Sequence, residues 1–233
     1  MKHKRCLLLS MGFLCACIAA PRMHMEVAEQ GRLSRTLANQ HHFLRISFFV
    51  TAFFEDDSLQ LLSPVNPAWL HLLEDTEGNP VPPGEITEPR LLPAGTLVQI
   101  LNVEFPNAST IGRRAAYSPR TRTWVYVAAP SASKPLVLVL KNTFQDSHDF
   151  LAELHRFLTP LNPASLMAQF STDEQNAIRN KEAFPGMSAE ALEMALGYPE
   201  TKTIVFEGEQ KTETWLWGRG KKTLTLKGGR IVP

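Results

Sequence analysis

All three cysteines of this 233-residue chain lie within its first 17 residues, in the segment MKHKRCLLLSMGFLCAC. Lysine and arginine precede an apolar run there, which is the arrangement of a signal peptide. The run ends at Pro21 and is too short to cross a membrane, since a spanning helix takes about 20 apolar residues. Residues 18–233 contain no cysteine. Without a disulfide, burial of apolar side chains must hold the fold together.

The four residues LCAC at positions 14–17 resemble the lipobox of bacterial lipoproteins, in which leucine and small residues precede a cysteine. The resemblance implies that residues 1–16 are removed and that Cys17 becomes an acylated N-terminus, carrying palmitate or similar chains. Cys15 stands where alanine, serine or threonine is commoner. Two or more acyl chains suffice for stable membrane anchoring without a spanning helix. The same resemblance implies that Ile18 after the cysteine favours the outer membrane over the inner membrane, with the protein on its periplasmic face.

An ordinary secretory signal, cleaved after Ala16, Ala19 or Ala20, is the alternative. Either way the mature chain is close to neutral, because removing residues 1–16 leaves 21 basic against 23 acidic residues. This balance does not favour nucleic acid or another strongly anionic partner. Residues 17–42 have scattered charges and no sustained apolar period, which predicts a tether between the membrane and the folded part.

Residues 43–145 have the residue pattern of short strands separated by turns. LRISFFVTAFF, LVQILNVEF, RTWVYVAA and KPLVLVLK are rich in β-branched and aromatic residues, and proline and glycine separate them. Strands at this spacing predict a small antiparallel barrel. LLPAGTLVQILNV resembles the start of bacterial SH3-like domains.

Residues 146–170 form a predicted connecting helical segment. In SHDFLAELHRFLTPL the apolar residues Phe150, Leu154 and Leu158 recur at helical spacing. A second helix is predicted after Ser171, because Ser171 and Glu174 have the spacing of a capping box. Both helices are interpreted as packing elements.

Residues 171–233 carry the most informative motifs. FPGMSAEALEMALGYPETK predicts a helix capped by Ser188 and ended at Gly197, with Pro199 as a stop. The strands TETWLWG and TLTLK and a closing glycine turn follow. This order resembles the SmpA/OmlA (BamE-like) family of envelope lipoproteins. The resemblance implies a module of two helices and three antiparallel strands, so the predicted fold class is α+β with an SH3-like barrel followed by a BamE-like module.

The resemblance implies a non-catalytic binding or scaffold protein at the outer membrane, in β-barrel protein assembly or in envelope integrity. The long segment ahead of the module is a departure from the smaller members of the family, so it must carry part of the role. Two other functions stay open, namely a module that binds peptidoglycan and a periplasmic enzyme or enzyme inhibitor.

Two sets of residues are candidates for binding. Trp215 and Trp217 alternate on one strand and share a face, so with Arg219 in the next turn they are candidate contacts for a partner protein. Packing under the neighbouring helix is the alternative for the two tryptophans.

The second set surrounds AAYSPRTRTW, where guanidinium groups could bind the phosphate or carboxylate groups of lipid, lipopolysaccharide or peptidoglycan. It comprises Arg113, Arg114, Arg120 and Arg122. A solvated hairpin is the alternative.

Motifs for catalysis are not found. The chain has no G-x-S-x-G, no phosphate-binding G-x-x-x-x-G-K-[ST] and no H-E-x-x-H. His148 and His155 are seven residues apart, about 10 Å along a helix, which is too far to share an ion. His41 and His42 are adjacent and would point apart. We therefore expect no catalytic residues, no cofactor and no metal.

Overall fold

The computed structural model describes residues 23–84 and 89–233, which form a mixed α+β fold as predicted. The helices are α1 Val27–Leu37, α2 Ala108–Arg113, α3 Ser147–Leu154, α4 Ala164–Met167, α5 Thr172–Asn180 and α6 Ala189–Leu196, with a 3-10 turn at Pro67–Trp69. The strands are β1 His41–Leu44, β2 Phe48–Ala52, β3 Gln60–Ser63, β4 Arg90–Leu92, β5 Leu97–Glu104, β6 Thr123–Ala128, β7 Leu136–Leu140, β8 Leu158–Thr159, β9 Thr201–Glu207, β10 Gln210–Trp217, β11 Lys222–Lys227 and β12 Arg230–Ile231.

The first sheet has eight strands in the order β4-β2-β3-β7-β6-β5-β1-β8 and curls into a half-barrel. Its pairs are antiparallel except for β3 and β7, which run parallel. The strand β7 is apolar at every position, LVLVL, because both of its faces are covered. Leu136, Leu138 and Leu140 join the main core, whereas Val137 packs on the opposite face with Trp124.

This sheet extends beyond the predicted range of residues 43–145. The strand β8 pairs with β1, and it comes from the predicted connecting segment. Phe150 and Leu154 of α3 are fully buried in the same core. Because α3 and β8 complete this core, the prediction of a separate connecting segment over residues 146–170 is wrong for its first half.

The predicted tether is also shorter than expected. The helix α1 packs on β5, and Met25, Leu33 and Leu37 are buried in the main core. Ser34 donates a hydrogen bond to the carbonyl of Val103 at 2.5 Å. Residues 25–42 are therefore part of the folded body, and the prediction of a tether that reaches residue 42 is wrong.

The second sheet packs against α5 and α6 and has the order β12-β11-β10-β9. It has four strands where three were predicted, because the two residues of β12 pair with β11 after the glycine turn. The predicted capping box is confirmed, since Ser171 and Glu174 each accept the other's backbone N–H. Ser188 caps α6 as predicted, and Gly197 ends it with a φ of 84°.

A short loop that contains Ser47 makes several of the contacts between the two sheets, and we call the region where the first sheet meets α5, α6 and β10 the joint. The N–H of Ser47 donates to the carbonyl of Met194 and its hydroxyl donates to the carbonyl of Ile178 at 2.5 Å. The hydroxyl also accepts the N–H of Ala94, and the Ser47 carbonyl accepts from Lys181. Every polar atom of this buried residue is thus satisfied, and most of its bonds cross from the first sheet to α5 and α6.

Candidate functional site

The two candidate tryptophans share one face of β10, as predicted, and that face is the inner one. Trp215 and Trp217 are buried under α5 and α6, with ring centroids 6.0 Å apart. The indole N–H of Trp217 donates to the carbonyl of Gly197 at 3.1 Å, which ties β10 to the end of α6. The two indoles are therefore core residues, and they cannot contact a partner while the module is folded.

Glu213 precedes the tryptophans on the same buried face. Its carboxylate accepts from the indole of Trp215 at 2.8 Å and forms ion pairs with Lys202 at 2.8 Å and Lys211 at 2.5 Å. Burial alone would raise the pKa of Glu213, but these donors together lower it to about 2. The ammonium of Lys202 also lies 4.4 Å from the Trp215 ring centroid, so this group ties β9 to the core.

Arg219 lies at the edge of the joint between the two sheets. It has a φ of 55°, and its N–H and that of Gly218 donate to Glu200. Its guanidinium lies 3.4 Å from Glu74. The side chain is exposed, but the tryptophans that were predicted to join it as partner contacts are buried elsewhere.

The four candidate arginines do not form one basic surface. Arg114 is buried, with its guanidinium 3.8 Å from the centroid of Trp124 and 2.8 Å from Glu104. It also donates to the carbonyls of Arg120 and Arg122, at 2.8 Å and 2.7 Å. Arg114 thus holds the loop together, and the prediction that it binds an external anion is wrong.

The other three arginines are more accessible. Arg113 is exposed at the end of α2 and pairs with Glu104 at 2.9 Å. Arg120 and Arg122 are half-buried, and their carbonyls face Arg114. Arg113 and Arg114 therefore share one carboxylate, Glu104, which offsets one of their two positive charges.

The most exposed apolar surface of the second sheet is β9, which sequence reasoning missed. It is the last strand of the sheet, and all seven of its residues are exposed. Ile204, Val205 and Phe206 are 44%, 50% and 67% accessible. A signal was present in the sequence, because Ile204, Val205 and Phe206 are three consecutive apolar residues. We define the β9 edge as residues 201–207.

A cavity of about 110 Å³ lies at the joint and was also missed. Lys181, the left-handed residue that ends α5, lines it and is buried. Burial lowers the pKa of Lys181 to about 7. Nothing in the segment NKE distinguishes this lysine from a solvated one, because its surroundings come from Ser47 and Ala195, which are distant in sequence.

Three further results concern anchoring and metals. Cys17, the candidate for lipidation, lies outside the described residues. Among residues 23–84 and 89–233, every helix is too short or too polar to span a bilayer. In the same part of the chain, histidine, cysteine and carboxylate side chains do not gather in any group able to hold a metal ion.

No protein-family model, curated protein or solved structure matches this chain.

Proposed function

We propose that the protein is acylated at Cys17 and acts as a non-catalytic binding or scaffold component on the periplasmic face of the outer membrane. The LCAC motif after a cationic and apolar segment supports the anchor. The order of two capped helices followed by a tryptophan-bearing sheet supports the likeness of residues 171–233 to the SmpA/OmlA family. The likeness of the first sheet to SH3-like domains is part of the same proposal.

The observation that carries the binding function is the exposed β9 edge. Edge strands present unpaired backbone N–H and C=O groups, and proteins normally protect them with charge, proline or a covering element. Here the centre of the strand carries three consecutive large apolar residues, and Lys202 is engaged with Glu213. Such a strand can accept another strand along its edge.

The β9 edge is proposed to bind an extended segment of a partner protein rather than a helix. Residues directly opposite in an antiparallel pair share a face, so Ile204, opposite Glu213, and Phe206, opposite Lys211, lie on the inner face. Val205 lies opposite Thr212, on the outer face. Because the exposed apolar side chains lie on both faces, an added strand could contact all three, whereas a helix would cover one face alone.

We place this interaction in β-barrel protein assembly or envelope maintenance, because a strand-accepting edge suits β-rich partners. The alternative of a peptidoglycan-binding module rested on the arginine hairpin. It loses support because Arg114 is buried and Arg113 shares Glu104 with it.

The test is affinity purification of the full-length tagged protein from mild-detergent envelope extracts, compared with Val205→Lys. Thr223→Lys, on an exposed position of β11, is the matched control. We expect defined barrel-assembly components to be recovered with the wild type and with Thr223→Lys, and to be lost with Val205→Lys. Equal recovery from all three would overturn the β9 edge as the contact. If Val205→Lys has the same oligomeric mass as the wild type, a second copy of this chain is excluded as the partner at the β9 edge.

The anchor has its own test. Cys17→Ser should remain an unprocessed precursor that does not incorporate radiolabelled palmitate, whereas the wild type should be processed and should incorporate it. A membrane-bound, normally processed Cys17→Ser protein would contradict acylation at this position.

A further inference from the structure

The cavity at the joint has aromatic and aliphatic walls and two cationic residues. Its lining includes Phe49 from β2, Trp69 from the 3-10 turn, Leu196 from α6 and Trp217 from β10. Among residues 23–84 and 89–233, the charged residues that line it are Lys181 and Lys222, and carboxylates do not. A pocket that combines an apolar wall with uncompensated positive charge is suited to an apolar anion.

The ammonium of Lys181 has three protons to donate. Two of them are accounted for, by the carbonyl of Ser47 at 2.6 Å and the carbonyl of Ala195 at 2.8 Å. The nitrogen lies 5.2 Å from the ring centroid of Phe49, which is itself a wall of the cavity. No carboxylate among the described residues pairs with this ammonium, so an anion that enters can accept the remaining proton.

We propose that this cavity binds a small carboxylate with an aromatic or aliphatic body, with Lys181 as the anion-binding residue and the aromatic side chains enclosing the body. A cavity of about 150 Å³ in a protein core holds benzene; this one is smaller, about 110 Å³, but it is partly open, so it encloses a short chain or part of a single ring. One donor in an apolar wall favours a singly charged carboxylate over a phosphate, which needs several donors.

The half-exposed Lys222 is the second cationic group of the site. It stands directly opposite Trp217 on β11, so its stem shares the inner face with the indole. Its charge attracts an anion toward the cavity but is partly screened by water. We expect it to contribute less to binding than Lys181.

Binding at this site should depend on pH. Burial alone lowers the pKa of Lys181 to about 7, with no contribution from a neighbouring charge. The charged residues on the elements around it are Asp173, Glu174, Arg179, Glu190 and Glu193 on α5 and α6, Lys211 and Glu213 on β10, and Lys222 and Lys227 on β11, with Arg45 and Glu182 in the adjoining loops. The carboxylate requires the ammonium form, so binding holds below pH 7 and weakens about tenfold for each pH unit above it.

The experiment titrates the full-length protein with benzoate and with benzamide, its neutral counterpart, and follows tryptophan fluorescence, because Trp69 and Trp217 line the cavity. We expect saturable binding of benzoate and at least tenfold weaker binding of benzamide. Lys181→Met should abolish the preference for benzoate, and Lys222→Gln should weaken benzoate binding by a few fold. Lys227→Met, at an exposed position of β11, is the control and should change neither.

A second measurement keeps the proposal falsifiable if Lys181→Met does not fold. The benzoate affinity of the wild type, measured between pH 6 and 9, should fall above pH 7. Equal binding of benzoate and benzamide, no binding of benzoate, or an affinity independent of pH would overturn the proposal. These outcomes do not depend on the anchor or on the β9 edge.

Discussion

The ammonium nitrogen of Lys181 lies 2.6 Å from the carbonyl oxygen of Ser47, which is 134 residues earlier in the chain. The same ammonium binds the carbonyl of Ala195, in the last turn of α6. A cation at a helix C-terminus is stabilised by the helix dipole, so Lys181 fixes the first sheet against the helices that cover the second. The two sheets are thus joined by a buried group that titrates near neutral pH.

The stability of the protein should therefore increase with pH just above neutrality. The folded state lowers the pKa of Lys181 to about 7 from an ordinary value near 10.5, so between these values the unfolded chain binds more protons. The free energy of unfolding then rises with pH, by at most about 1.4 kcal/mol per unit. Denaturant unfolding at pH 7 and pH 9 measures this rise. It should persist in Lys227→Met and disappear in Lys181→Met, and an equal rise in both variants would assign it to other groups.

Glu213 should stabilise the protein with the same sign of pH dependence as Lys181, but in the acid range. Its pKa is lowered to about 2 from 4.5, so its contribution is present above pH 4.5 and is lost as the pH falls toward 2. The shift corresponds to roughly 3 kcal/mol. Glu213→Gln should remove that part of the acid sensitivity, whereas Glu207→Gln on the exposed β9 should leave the unfolding curve unchanged. A wild-type acid transition retained in Glu213→Gln would contradict this role.

Trp217→Ala should destabilise the whole module. The side chain is buried and its indole bonds to Gly197, and truncation of a buried aromatic residue costs about 3–5 kcal/mol. Phe206→Ala, at a position 67% accessible, should change the free energy of unfolding by less than about 0.5 kcal/mol. Guanidinium unfolding compares the two variants. A stable Trp217→Ala protein would show that the indole is not a core residue.

Arg114→Ala should destabilise the first sheet, whereas Arg113→Ala should not. Arg114 is buried between Glu104 and Trp124 and bonds to two carbonyls. Loss of one partner of a buried ion pair costs about 3 kcal/mol or more, while the exposed pair of Arg113 contributes less than about 1 kcal/mol. Thermal unfolding compares the two variants. We expect Arg114→Ala alone to unfold at a lower temperature, and we expect the binding of both variants to anionic vesicles to be unchanged. Loss of vesicle binding in Arg114→Ala without loss of stability would restore the anion-binding role.

Local sequence patterns predicted the elements that depend on neighbours along the chain. The capping box of Ser171 and Glu174, the end of α6 at Gly197 and the shared face of Trp215 and Trp217 all depend on residues a few positions apart. The α+β class followed from the same patterns.

Contacts between distant segments could not be predicted in this way. The burial of Arg114 depends on Glu104 and Trp124, and that of Lys181 depends on Ser47. The helix α1 has a weakly apolar sequence and is held by the core that its Leu33 and Leu37 enter. The exposure of β9 follows from the strand order, in which it is the edge strand of the sheet formed by the described residues.

The most direct test of the proposed function is site-specific photo-crosslinking in intact cells from Val205, on the β9 edge, with a crosslinker at Thr223 as the control. We predict one crosslinked adduct from position 205, identified by mass spectrometry as a defined outer-membrane or barrel-assembly protein, and lost in Cys17→Ser. Position 223 should give none. No adduct from position 205, or the same adducts from both positions, would contradict a strand-accepting β9 edge on a membrane-anchored protein.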